Sequence, residues 1–105
     1  FSPKKLYVMT KFGELINVEK PVLIDFYFDW SDDENNLDTL KDVAAALGDK
    51  AKVIKIDIKK NEILADTLRV KGNPTFMIYK GGEMKWRQTG EQDANTLIGL
   101  VQQYV

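Results

Sequence analysis

The chain is expected to fold as an α/β domain, a central mixed β-sheet flanked by helices on both faces, and three features of the sequence predict it. Residues 22–28 form a short run that is apolar on both faces apart from Asp25, the pattern of a central strand covered by helices on each side. Segments with helical spacing alternate with segments rich in β-branched residues, in the order β-α-β-α. Gly81 and Gly82 then separate two strand-like runs, as an antiparallel hairpin requires. At 105 residues the whole of 1–105 reads as one domain, with no length left for a second.

Taken in order, a short apolar start over residues 6–9 leads to Thr10, which is expected to cap a first helix carrying Phe12, Leu15 and Ile16 on one face and ending before Pro21. The strand over 22–28 follows. From 32 to 47, Leu37, Leu40, Ala44 and Leu47 recur at three- and four-residue steps, and Gly48 is placed to end that helix in a left-handed turn. Residues 53–58 are β-branched and read as a second core strand, followed by a helix from about 62 to 68 that Asn61 caps. Residues 75–79 and 85–89 are the hairpin strands around Lys80-Gly81-Gly82-Glu83. A last helix begins near Ala94, capped by Asp93, with Leu97, Leu100, Val101 and Tyr104 on its apolar face.

Composition excludes several functions. With 44% hydrophobic and 30% charged residues the chain is a folded globule rather than a disordered one. It contains neither Cys nor His, so it has no thiolate nucleophile, no disulfide, no thiolate or imidazole metal ligand and no imidazole base. Fifteen basic residues against 16 acidic ones give a net charge of -1, which offers no general cationic field, and neither nucleic acid nor membrane is an expected partner. Lys50, Lys52, Lys59 and Lys60 read as solvated strand and turn positions, and Phe76, Tyr79 and Trp86 as core or edge packing rather than a platform for bases. The longest mostly apolar run, 21–28, is far short of the roughly 20 residues that span a bilayer. A soluble monomer without a cofactor is expected. Because the chain begins at Phe1 rather than Met, it reads as a processed or trimmed product. A cytoplasmic location is favoured, and a periplasmic or secreted one follows if an upstream signal was removed.

Three segments line up in order and spacing with one known family: Val22-Leu-Ile-Asp-Phe-Tyr-Phe-Asp-Trp30, Val70-Lys-Gly-Asn-Pro-Thr-Phe-Met-Ile-Tyr79, and Gly81-Gly-Glu83 with Gly90 beyond. Over almost its whole length the chain resembles the thioredoxins, which implies a thioredoxin fold with a cis bond between Asn73 and Pro74. Where that family carries Trp-Cys-Gly-Pro-Cys-Lys, this chain reads Trp30-Ser31-Asp32-Asp33-Glu34-Asn35. Thiol–disulfide exchange needs a thiolate to attack and two sulfurs to store two electrons, and Ser31 and Glu34 supply neither. Ser31 also has no histidine to activate it, so no catalytic residue is assigned.

What stands in place of the redox pair is a Ser-x-x-Glu capping box, worth about 0.5–2 kcal/mol, with Asp32 and Asp33 at the positive end of the helix. The acidic run Asp29, Asp32, Asp33, Glu34 and Asp38 lacks the glycine and closing glutamate of a calcium loop, so no metal site is expected. It reads as a solvated face that favours basic or neutral partner peptides over acidic ones. By the resemblance, Asp25 matches an aspartate that lies beneath the redox pair and assists proton transfer. Without that proton donor it is expected to be a buried structural carboxylate, satisfied by water, a backbone amide or Lys55, the lysine matching the family's partner on the next strand. The resemblance also implies a peptide-binding groove lined by Trp30, Asn73, Pro74 and Gly90, in which the residue before the proline offers backbone hydrogen bonds to an extended strand. Asn73 departs from the apolar residue usual there.

The expected function is that of a redox-inactive thioredoxin-like protein, a binding module for a protein or extended peptide. The alternative is a thioredoxin-type disulfide oxidoreductase, active in cell redox homeostasis, whose cysteines were replaced at positions 31 and 34.

Overall fold

The computed structural model describes residues 2–28, 34–72 and 74–105, and for residues 34–38 the backbone alone. Its elements are α1 (Pro3–Ile16), β1 (Val22–Tyr27), α2 (Glu34–Leu47), β2 (Lys52–Asp57), α3 (Glu62–Thr67), β3 (Thr75–Lys80), β4 (Glu83–Thr89) and α4 (Ala94–Gln102). A single 3-10 turn, Gly48–Lys50, joins α2 to β2.

The strands form one mixed sheet in the order β2-β1-β3-β4. β1 runs parallel to β2, with Asp25 in register with Lys55, and antiparallel to β3, with Phe26 opposite Thr75. A helix is needed between the parallel strands β1 and β2, because such a connection must cross a face of the sheet, and α2 supplies it. β1 is buried along nearly its whole length, as expected of a strand apolar on both faces. Val22, Ile24 and Phe26 point into a cluster with Phe12 and Ile16 of α1 and Leu64 of α3. Leu23 points the other way, among Leu40, Val43 and Leu47 of α2 and Leu97 and Val101 of α4. Phe76 and Tyr79 likewise fall in opposite clusters, so the aromatic residues of the hairpin form core rather than a common platform.

Gly81 and Gly82 turn the β3–β4 hairpin with φ of 61° and 83°, a left-handed pair that residues with a Cβ adopt at a cost. β4 starts at Glu83, two residues earlier than the sequence suggests. Its first residues are exposed, and only backbone pairing with Lys80 and Tyr79 places them in the sheet. Lys85 is the extra residue of a bulge between the pairs Ile78–Trp86 and Tyr79–Met84.

The first helix differs most from expectation. It begins at Pro3, with Ser2 as cap: the Ser2 hydroxyl accepts the Lys5 amide at 3.1 Å, and proline takes the first turn, where its missing N–H costs nothing. Residues 6–9 are therefore helical, and Thr10 lies mid-helix with its hydroxyl donating to the Leu6 carbonyl at 2.8 Å. The other two caps divide. Asp93 caps α4 by accepting the Thr96 amide at 2.7 Å. Asn61 occupies the cap position of α3, but its side-chain amide donates to the Asp57 carbonyl at 2.9 Å instead of receiving a helix amide. The expected start of α2 at residue 32 and the capping box of Ser31 with Glu34 lie outside the described residues.

Candidate functional site

Of the site residues expected from the sequence, the described ones with a place in the sheet are Asp25 and Lys55, on β1 and β2, Pro74, just before β3, and Gly90, just after β4. Asp25 is fully buried, and neither of its carboxylate oxygens has a hydrogen-bond partner among the described residues. Of the partners expected for it, neither Lys55 nor a backbone amide of the described residues hydrogen-bonds to it. Lys55 sits on the neighbouring strand in register, yet its ammonium lies over the Tyr27 ring, 4.4 Å from the centroid. A cation on a ring face keeps most of its hydration while gaining the quadrupole attraction, whereas burial beside Asp25 would strip it of water. Desolvation pushes the Asp25 pKa from 3.8 up to about 6, and the charge of Lys55 offsets only part of that rise.

Pro74 is buried at the entry to β3, and its carbonyl accepts the amide of half-buried Gly90 at 2.8 Å. That bond extends the β3–β4 ladder one step past the pair Thr75–Thr89 and fixes two of the four expected groove residues against each other. Thr75 is buried beneath them. Its hydroxyl donates to the Gly72 carbonyl at 2.9 Å and lies 3.3 Å from the Thr89 hydroxyl. Gly72 packs so close to Thr89 that a Cβ there would collide with the threonine methyl. The remaining groove residues, Trp30 and Asn73, lie outside the described residues, as do Ser31 and the side chain of Glu34. The peptide bond between Asn73 and Pro74 falls there as well.

The segment leading to Pro74 is held by a residue that sequence reasoning missed. Arg87 on β4 donates one guanidinium nitrogen to the Leu68 carbonyl and the other to the Arg69 carbonyl, each at 2.6 Å. Both carbonyls belong to the end of α3, which closes with Val70 donating to Ala65 and Arg69 donating to Asp66, while Arg69 itself takes φ 57°. Helices usually end so with glycine. The bidentate grip of Arg87 offsets the strain of placing an arginine there. Asp57 was likewise passed over: its Oδ1 accepts the amides of Lys59 and Lys60 at 2.8 and 3.3 Å and shapes the turn into α3. The sequence Asp57-Ile58-Lys59-Lys60-Asn61 carries the Asx-turn signature that could have revealed it.

No cluster of three or more acidic side chains able to hold a metal ion occurs among the described residues. Asp29, Asp32 and Asp33 of the acidic run lie outside them, as do the side chains of Glu34 and Asp38. No helix among the described residues is long and apolar enough to cross a membrane.

Comparison with known proteins bears on this geometry. A family model described as Thioredoxin matches residues 4–103. The chain is 37% identical over 100 residues to "Thioredoxin Y, chloroplastic" of Oryza sativa subsp. japonica, an alignment covering 93% of this chain and 60% of that protein. It is 30% identical over 90 residues to "Thioredoxin" of Rickettsia prowazekii (strain Madrid E), covering 85% of this chain and 86% of that one. The chain spans only 52% to 60% of the length of the chloroplast relatives it matches. Among solved structures, a mutant thioredoxin from Halobacterium salinarum NRC-1 superposes with a TM-score of 0.74 at 32% identity, covering 90% of this chain and 83% of that one. Fasciola hepatica thioredoxin, at 22% identity, shares the fold with a TM-score of 0.80, covering 92% of this chain and 94% of that one.

Proposed function

This chain belongs to the thioredoxin family, and from that premise we propose that it is a binding module for a protein or extended peptide that performs no thiol–disulfide exchange with its own atoms. The observation that carries the reading is a contrast. The Pro74 carbonyl accepts the Gly90 amide at 2.8 Å, which holds the two described residues of the expected groove together, while all 105 residues contain no sulfhydryl. An exchange reaction begins with thiolate attack and ends with two electrons held in a new S–S bond, and neither step has an atom here to perform it. Peptide recognition at a sheet margin needs only backbone donors and acceptors and a shaped surface, so it survives the loss of sulfur. In this reading Trp30, Asn73, Pro74 and Gly90 line the groove, and the acidic residues from Asp29 to Asp38 bias it toward basic or neutral segments.

Affinity capture with the wild-type chain and with Pro74→Ala tests the groove, with thermal melts establishing that both are folded. Loss of the captured proteins on substitution is the expected result, and recovery of the same proteins by both discards the groove.

The second reading, an oxidoreductase whose cysteines were replaced, draws on the relatives, which are named thioredoxins. Its discriminator is Ser31→Cys/Glu34→Cys, which places a Cys-x-x-Cys pair at those positions. If residues 31 and 34 are degenerate redox positions on an otherwise intact scaffold, the double substitution confers disulfide reduction. Cysteine codons at 31 and 34 in the encoding gene would establish replacement, and other codons there would establish divergence.

A further inference from the structure

A second surface, lined by neither Pro74 nor Gly90, runs along α1. Between α1 and the β2–α3 connection lies a cleft of ≈ 610 Å³, continuous with a smaller one of ≈ 310 Å³ that shares Val8, Lys60, Asn61 and Leu64 with it. Its apolar floor is Phe12, Leu15, Ile56 and Leu64, and Tyr7, 64% exposed, stands on the α1 side as an uncovered aromatic residue. Its charge is one-sided. Lys4, Lys11, Lys55, Lys59 and Lys60 line the two clefts against Asp57 and Glu62, on a chain whose overall charge is -1.

Asp57 makes the cleft more than a basic patch. It lines the larger cleft at 7% exposure, and while Oδ1 accepts two backbone amides, Oδ2 is buried with no hydrogen-bond partner among the described residues. An unpartnered buried acceptor is costly and calls for a donor. Lys55, held over Tyr27 at 4.4 Å, is already fixed as part of the wall.

We propose that this cleft docks an acidic segment of a protein partner. An aromatic or aliphatic side chain of the segment rests on the Phe12–Leu15–Ile56 floor, and its carboxylates meet the lysines. Two clefts in line along one helix suit an extended chain better than a compact small molecule. Excess cations at the rim steer an acidic chain in and repel a basic one, the opposite preference to that proposed for the Pro74 groove. The two sites stand or fall separately, since they share no described residue.

The test is titration of the isotope-labelled protein with a synthetic peptide, Glu-Glu-Leu-Phe-Glu-Glu, and with its mirror, Lys-Lys-Leu-Phe-Lys-Lys. The acidic peptide is expected to shift amides of α1 and of residues 55–61 and to weaken by about tenfold or more as salt rises from about 0.05 to about 0.5 M, because rim charges are screened over that range. Lys11→Glu/Lys60→Glu, at exposed positions that leave the core intact, is expected to weaken it by about tenfold or more. Four results would overturn the proposal: no saturable binding, equal binding of the basic peptide, shifts centred on Pro74 and Gly90, or indifference to the double substitution. Displacement of the acidic peptide by a single-stranded oligonucleotide at lower concentration than by unlabelled peptide would overturn it too, by assigning the lysines to nucleic acid.

Discussion

Removing the charge of Asp25 is expected to stabilise the protein at neutral pH. The carboxylate is fully buried with both oxygens unpartnered among the described residues, and its pKa is raised from 3.8 to about 6, chiefly by desolvation and against the opposing charge of Lys55. The folded-state value lies above the unfolded one, so between these two pH values the folded chain binds more protons than the unfolded chain. Stability therefore falls as pH rises across that window, is fully present below about 3.8, and stays reduced above about 6. The rise from 3.8 to about 6 corresponds to about 3 kcal/mol of stability. In a domain near this size 1 kcal/mol moves Tm by roughly 4 °C, so Asp25→Leu is expected to raise Tm by on the order of 10 °C near neutral pH. Asp25→Asn gains less, because its amide also buries unpaired donors. Calorimetric melts at about pH 3.5, 5 and 7.5 decide the matter, since the advantage of Asn is expected to be small at the first and fully open at the last. If both substitutions lower Tm at neutral pH, or if the difference from wild type does not vary with pH, the account of Asp25 is wrong.

Among the described residues, Asp93 is a carboxylate shifted in the opposite direction. Hydrogen bonds from the Thr96 amide and side chain hold the Asp93 pKa below its usual value, so its contribution is present above the unfolded value and lost as pH falls through the folded one. Asp93→Ala is expected to lower Tm at neutral pH, with a gap that narrows in acid, and Asp93→Asn to restore most of the cap; a gap unchanged by acid would refute this. Gly72→Ala is expected to cost about 1–3 kcal/mol through overpacking. Because the collision is with the Thr89 methyl, adding Thr89→Ser is expected to recover stability in urea unfolding, and additive losses would refute the contact. Arg87→Lys replaces the planar two-nitrogen fork that spans both carbonyls with a single point donor and is expected to cost about 1.5–3 kcal/mol. Faster hydrogen exchange at residues 68–72 would accompany the loss, and unchanged exchange there would assign Arg87 no holding role.

Much of the architecture was legible because it rests on burial. β1 had to be covered on both faces, α2 and α4 showed their stripes, and the glycine pair announced the hairpin. What sequence hid was decided by contacts distant along the chain. Residues 6–9 look like an apolar start because Leu6 and Tyr7 are exposed rather than core, which masks the helical period that Ser2 and Pro3 begin. The edge residues Glu83 and Met84 carry no strand pattern, since only their backbone is paired. Arg69 in a left-handed conformation has no glycine to signal it and depends on Arg87, 18 positions away. At the site, burial of Asp25 was legible from the apolar run around it. That Lys55 turns to Tyr27 instead was not, because local sequence does not say which of two neighbours a lysine meets.

These 105 residues hold no sulfur that can pass electrons to a disulfide. Insulin disulfide reduction in dithiothreitol, followed by turbidity with the purified chain present and absent, tests this directly. The prediction is a rate indistinguishable from dithiothreitol alone at every protein concentration. A rate that rises in proportion to the protein, in a preparation shown by mass spectrometry to contain no cysteine, would contradict it.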